Sequence, residues 1–200
     1  ILVFYQRMLN MRRLFILLLV LFISQSTFAS HAAVGEITYS CLGPNQYQLP
    51  LQFYRDCVGA ATGGVQNLSL SSASFGMNGA VQLAQVGPPV HIISTYPSLL
   101  STCNGGPIQG IEQYTYQGIL NLPLVCREDW FFSWSVCCRN NIINNLIAPI
   151  AQRLNASAIL DNTLSPCNTS PAFNKTLSAM VCINQQVVYN HGVSDADDDW

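Results

Sequence analysis

Charge is scarce in this chain. Asp, Glu, Lys and Arg together make up 9% of its 200 residues, while half of the chain is hydrophobic. Beyond Ser30 the basic residues are Arg55, Arg127, Arg139, Arg153 and Lys175, five against ten acids, for a net charge of −5. A nucleic-acid surface needs clustered cations, so that role is disfavoured. The three histidines, His31, His91 and His191, stand far apart, and no Cys-x-x-Cys occurs, which argues against a zinc site on cysteine. No serine sits in a nucleophile-elbow pattern, and the neighbouring carboxylates Glu128 and Asp129 would point to opposite faces of a strand rather than converge on a substrate. Nothing in the sequence assembles a catalytic site, and an enzyme is not expected.

Long apolar runs are also missing, with one short exception. Met11-Arg12-Arg13 leads into the apolar residues 14–23 and then into the small, polar Ser24-Gln25-Ser26-Thr27-Phe28-Ala29. A basic start, a short apolar stretch and small residues before a cut are the parts of a secretory signal peptide. The run falls below the roughly 18–20 residues that span a bilayer. Residues 11–29 are therefore assigned as signal peptide, cut after Ala29, with Ala32 as second choice. No cysteine sits just after the cut to carry a lipid anchor. Residues 1–10 read as translated upstream sequence before the true start at Met11.

All eight cysteines, Cys41, Cys57, Cys103, Cys126, Cys137, Cys138, Cys167 and Cys182, lie beyond that cut. An even count in an exported chain predicts disulfides. Their connectivity stays open, because eight cysteines allow 105 pairings. Spacing along a hairpin separates Cys41 from Cys57, and Cys103 is placed near Cys137 or Cys138. Those two neighbours, on opposite faces of one strand, are expected to take different partners. A Cys167–Cys182 bridge, or docking onto the preceding domain, would hold the last segment.

Period-two alternation dominates the rest. Ile37, Tyr39 and Cys41 alternate, as do Tyr47, Leu49, Leu51 and Phe53, with the turn residues Leu42-Gly43-Pro44-Asn45-Gln46 between them. Further strands are predicted over 65–71, 80–86, 90–95, 111–122 and 153–160. The segment 130–138 is the heaviest: Trp130, Phe132, Trp134, Val136 and Cys138 share one face, and Phe131, Ser133, Ser135 and Cys137 the other. One strongly apolar face belongs to an antiparallel sheet covering a core. The strand 111–122 is expected to pair with 130–137 as a hairpin. Residues 30–165 thus predict an all-β, immunoglobulin-like antiparallel sandwich. Residues 166–200 read as the start of a second β-domain, and the chain as the amino-terminal part of a longer protein.

Two features carry candidate binding chemistry. Asp195, Asp197 and Asp199 alternate around Asp198, and clustered carboxylates in a turn are what calcium requires, which makes calcium the one candidate cofactor. Trp130, Phe132 and Trp134 would offer sugars a stacking platform if their face were open, whereas core packing would bury them.

The ordered set Val34-Gly35-Glu36-Ile37-Thr38-Tyr39-Ser40-Cys41, Tyr54-Arg55-Asp56-Cys57, Cys137-Cys138-Arg139-Asn140, Cys167-Asn168-Thr169-Ser170-Pro171-Ala172-Phe173 and the segment 191–199 resembles the amino-terminal region of large secreted surface proteins of the Bacteroidota. Those proteins carry repeated immunoglobulin-like, PKD-type or cadherin-like domains and often end in a gliding-motility-associated sorting domain. The resemblance implies an exported, multidomain adhesin at the outer cell surface, passed across the outer membrane by the type IX system. It implies partners in an extracellular glycan or protein and in downstream domains of the same chain. It also equates the acidic run with the Asp-x-Asp-Gly-Asp turn of a cadherin-like repeat, although Asp198 stands where glycine is usual. The expected function is a non-enzymatic structural or adhesive module; the alternative is a carbohydrate-binding module of a secreted hydrolase.

Overall fold

The first alternating segments form one long strand and its partners. β1 (Ala32–Ile37) and β2 (Ser40–Gly43) both pair antiparallel with β3 (Gln46–Asp56), and Asn45 takes the left-handed conformation that closes the turn. Tyr47, Leu49, Leu51 and Phe53 of β3 are all buried, while Gln48, Pro50 and Gln52 between them are half-buried. β4 (Val65–Ser72) and β5 (Met77–Gln85) make a hairpin in unbroken register, turned at Gly76, whose φ of +67° suits a residue without a Cβ. β6 (Val90–Ile92), β7 (Ile111–Asn121), β8 (Trp130–Cys137) and β9 (Arg153–Leu160) complete the main sheet. The computed structural model describes residues 12, 31–59, 62–92, 100–140, 143–174, 184, 186, 188, 190 and 192–198. The assigned leader with its Ala29 cut, Asp199 and Cys182 therefore lie outside the described residues, as does the end of the strand expected over 90–95.

All pairings between these strands are antiparallel, and the sheet runs β1-β3-β7-β5-β4-β8-β9, with β2 added on β3 and β6 on β7. The path curls until its two ends meet. A Cβ on Gly35 in β1 would fall 2.9 Å from the Trp134 ring and 3.4 Å from Ala156 in β9. The Ala32 amide donates to the Cys138 carbonyl at 3.2 Å. The all-β antiparallel expectation holds, in a sandwich-like or barrel-like arrangement that encloses one core.

The core is aromatic and follows the predicted faces. Trp130 and Phe132 are fully buried and Trp134 nearly so, while Phe131 between them is 39% exposed. Phe53 and Trp134, 5.0 Å apart, and Tyr39 and Tyr47, 6.1 Å apart, meet edge to face, and Tyr39 and Phe132 lie tilted at 6.0 Å between centroids. The Trp130 indole donates to Asn162 Oδ1 at 3.2 Å, and Trp134 donates to Gln66 Oε1 at 3.0 Å, so neither buried N–H is orphaned.

The expected hairpin of 111–122 with 130–137 is overturned. β7 lies between β3 and β5, and β8 between β4 and β9. The connection crosses the end of the shell instead of turning back. Leu122 donates to Asn45 O, and Asn162 brackets the far side by accepting from Arg127 N at 2.7 Å and donating its own amide to Arg127 O at 3.1 Å. The vacancy beside β7 is taken by β5, whose close approach Gly118 permits: a Cβ there would stand 2.6 Å from Gln82 O.

After β9 the chain returns along the shell as a strap. Tyr39 N donates to Ser170 Oγ and Ser170 N to Tyr39 O, each at 2.9 Å, and the Tyr47 hydroxyl donates to Pro166 O at 2.9 Å. β10 (Ala172–Phe173) then pairs with β11 (Val193–Ser194) in a separate two-stranded ribbon.

Candidate functional site

The cysteines come together differently from the expectation. Among the described residues, Cys41 pairs with Cys167, Cys57 with Cys103, and Cys137 with Cys138, while Cys126 is exposed and unbridged. Each correction has a structural reason. Cys103 reaches Cys57 because β7, which its 3-10 turn (Thr102–Asn104) leads into, pairs with β3 and not with β8. Gly110 makes room for that bridge, since a Cβ there would lie 2.5 Å from Cys103 Sγ. Cys137 is the last residue of β8, so strand alternation no longer governs Cys138, and the two sulfurs join each other. Cys167 is taken by Cys41, which excludes the Cys167–Cys182 bridge and fastens the strap to β2. Three disulfides point to an oxidising environment. Among the described residues, no helix is long and apolar enough to cross a membrane.

Two segments that carry the resemblance meet at one end of the shell. Arg55 of β3 faces Glu112 of β7 and donates from Nε to Oε1 at 2.7 Å, with both side chains more than nine-tenths buried. The Tyr114 hydroxyl donates to the same Glu112 oxygen at 3.0 Å, and the Arg55 guanidinium lies 5.5 Å from the Tyr114 ring centre. Burial, reinforced by the hydrogen bond to Glu112, pushes the Tyr114 hydroxyl above its ordinary range. Next to this pair, Asp56 accepts from Asn140 Nδ2 at 2.8 Å and from Val58 N at 3.0 Å. These charges are spent on each other and on the backbone. They brace the end of the shell where the Cys57–Cys103 bridge sits.

The acidic turn is used partly in the same way. The Asp197 amide donates to Asp195 Oδ1 at 2.9 Å, while its carboxylate accepts from Thr169 N at 2.6 Å, beside the Cys41–Cys167 bridge. Asp198 takes a left-handed φ of +54°, a conformation that favours glycine. Among the described residues, no three His, Cys, Asp or Glu side chains stand close enough to hold a metal.

The aromatic platform is closed. Trp130, Phe132, Trp134, Tyr114 and Tyr116 are all buried, so the face that would stack on sugars is the core itself. The opposite face of β8 is the open one. There the cross-strand row Ser71–Phe131–Ile159 joins β4, β8 and β9, and the next row along is Ser69–Ser133–Ser157. Beside the first row lies a hollow of about 330 Å³ lined by Ser71, Ala73, Glu128, Asp129, Phe131 and Ile159. Glu128 and Asp129 border the same hollow, contrary to the expectation of opposite faces. They precede the first residue of β8, where alternation has not yet begun.

Asp129 fixes the rim. Its Oδ1 accepts from the Ser74 hydroxyl at 2.6 Å and from the Ser72 hydroxyl at 2.7 Å, and its Oδ2 from the Ser74 amide at 2.8 Å. Donation from Ser74, then from Ser72, lowers its pKa to about 2. The carboxylate thus clasps the β4–β5 turn to the start of β8. Sequence reasoning missed this clasp; the run of serines over 69–74, at the end of β4 and into the turn, was its one signal. No known protein family, curated protein or solved structure matches this chain.

Proposed function

We propose that this chain is a non-enzymatic structural or adhesive module of an exported, cell-surface, multidomain protein, of the kind linked to gliding or adhesion. The observation that carries the reading is the combination of a disulfide-fastened β-shell with charged groups committed to internal bracing. Arg55, Glu112, Asp56, Asp129 and Asp197 each satisfy a partner within the chain. The Asp129 carboxylate, held ionised by its donors, has the opposite character to the raised-pKa acid that glycoside or ester hydrolysis uses.

The signal-like segment 11–29 and the disulfides support export, and passage by the type IX system follows from the resemblance alone. Burial of Tyr114, Tyr116, Trp130 and Trp134 weighs against the alternative of a carbohydrate module built on those rings. In the native cells, the test is whether the protein is reached by protease added to intact cells, and whether its deletion lowers attachment or spreading. Surface exposure with loss of attachment is the expected result. Retention inside the cell, or substrate turnover by the purified chain, would contradict the proposal.

A further inference from the structure

We infer that the outward face of β4, β8 and β9 binds a neutral glycan, with one sugar ring seated on Phe131 in the hollow beside it. This rests on the surface-module reading and names its ligand class. The hollow, about 330 Å³, sits at the small end of the ~300–1,000 Å³ range of ligand pockets. Its lining mixes the apolar Ala73, Phe131 and Ile159 with the polar Ser71, Glu128 and Asp129. A sugar presents both kinds of surface, C–H groups on the face of its ring and hydroxyls at its edge. The phenyl ring accepts the first, and Ser71 and Glu128, which line the same hollow, can take hydrogen bonds from the second.

The surface leading away from the hollow decides between a sugar and a cation. Ser69, Ser133 and Ser157 stand in register across three strands, about 5 Å apart, and two residues along from the Phe131 row. This places three hydroxyls, each both donor and acceptor, in a line beside the ring. The one charge farther along, Arg153, is tied to Ser135 by a 2.8 Å hydrogen bond. Asp129 meanwhile gives its oxygens to three donors of its own chain, so its charge is already compensated. An uncharged row of hydroxyls continuing from an aromatic seat fits a neutral polymer of hydroxyls. β8 is hydrogen-bonded to β4 on one side and to β9 on the other, so its own backbone offers no free edge to a peptide.

The test is titration of the purified chain with cellohexaose, mannohexaose and chitohexaose, followed by amide NMR and calorimetry. At least one sugar should bind with Kd at or below about 1 mM and shift the amides of Phe131, Ser133 and Ser157. Phe131→Ala should weaken it by about tenfold or more, and Ser133→Ala should weaken it less. Ile119→Ala, exposed on β7 and away from the hollow, should leave it unchanged. Phe131 is itself partly exposed, so its variant keeps the fold, which the unchanged core resonances verify. The inference is overturned if no sugar binds at about 10 mM, if Phe131→Ala binds as well as the parent, or if raising NaCl from about 50 to 500 mM abolishes binding. Any of these outcomes with surface display intact removes the ligand class and leaves the module reading standing. Absence from the cell surface removes the module reading instead.

Discussion

Replacing Cys41 and Cys167 together by serine tests how the shell is held closed. The bridge links residues 126 positions apart, between β2 and the returning strap. On the chain-entropy account, opening a loop of that length returns about 5 kcal/mol of freedom to the unfolded state. The Cys57–Cys103 bridge, with a separation of 46, comes to about 4 kcal/mol on the same scale. The Cys137–Cys138 bridge closes no loop between its residues and should contribute almost nothing of this kind. The strap keeps its hydrogen bonds from Tyr39 and Tyr47, so the serine variant still folds. At ~2–4 °C per kcal/mol for a chain of this size, loss of the 41–167 bridge should lower Tm by roughly 10–20 °C. Trp130 and Trp134 are buried and supply the fluorescence readout during urea and thermal unfolding. A Cys137→Ser/Cys138→Ser variant should unfold within a few degrees of the parent. If that variant loses more stability than the 41–167 variant, the reasoning is wrong.

Phe132→Ala should cost about 3–5 kcal/mol of unfolding free energy, because its ring is fully buried, whereas Phe131→Ala one position earlier should cost less than about 1 kcal/mol; chemical denaturation of the two variants makes the comparison. Glu112→Ala leaves Arg55 as an uncompensated buried charge and should destabilise by about 3–5 kcal/mol, with Arg55→Met in the same chain recovering much of the loss in the same assay. Asp129 has a folded-state pKa lowered to about 2, against roughly 3.9 for an unperturbed Asp. Its stabilisation is therefore complete above about pH 5 and is lost as pH falls through 4 toward 2. Urea midpoints measured from pH 5 to pH 2 should fall less steeply for Asp129→Asn than for the parent.

The faces of strands were legible from the sequence, and their neighbours were not. Tyr47, Leu49, Leu51 and Phe53 declare a buried side by alternation alone, as do Trp130, Phe132 and Trp134, because a half-buried strand writes its inside and outside into successive residues. Which strand lies beside which depends on contacts far apart in the chain. Gly118, for example, admits β5 beside β7, and Asn162 holds the 122–129 connection across the end of the shell. The disulfide pairs followed that neighbour relation, so the misplaced hairpin carried Cys103 to the wrong partner. The hollow was hidden for a local reason. Glu128 and Asp129 were read as part of a strand that begins one residue later, and the Ser72 and Ser74 hydroxyls that claim Asp129 lie more than fifty positions away.

The disulfide framework underlies both the export reading and the closure of the shell, and one measurement tests it directly: peptide mapping under non-reducing conditions of the chain exported to an oxidising compartment. Linked peptides joining Cys41 to Cys167 and Cys57 to Cys103, with Cys137 and Cys138 closed on each other, are the predicted result. Free thiols at Cys41, Cys57, Cys103 and Cys167, or a link from Cys103 to Cys137 or Cys138, would contradict it.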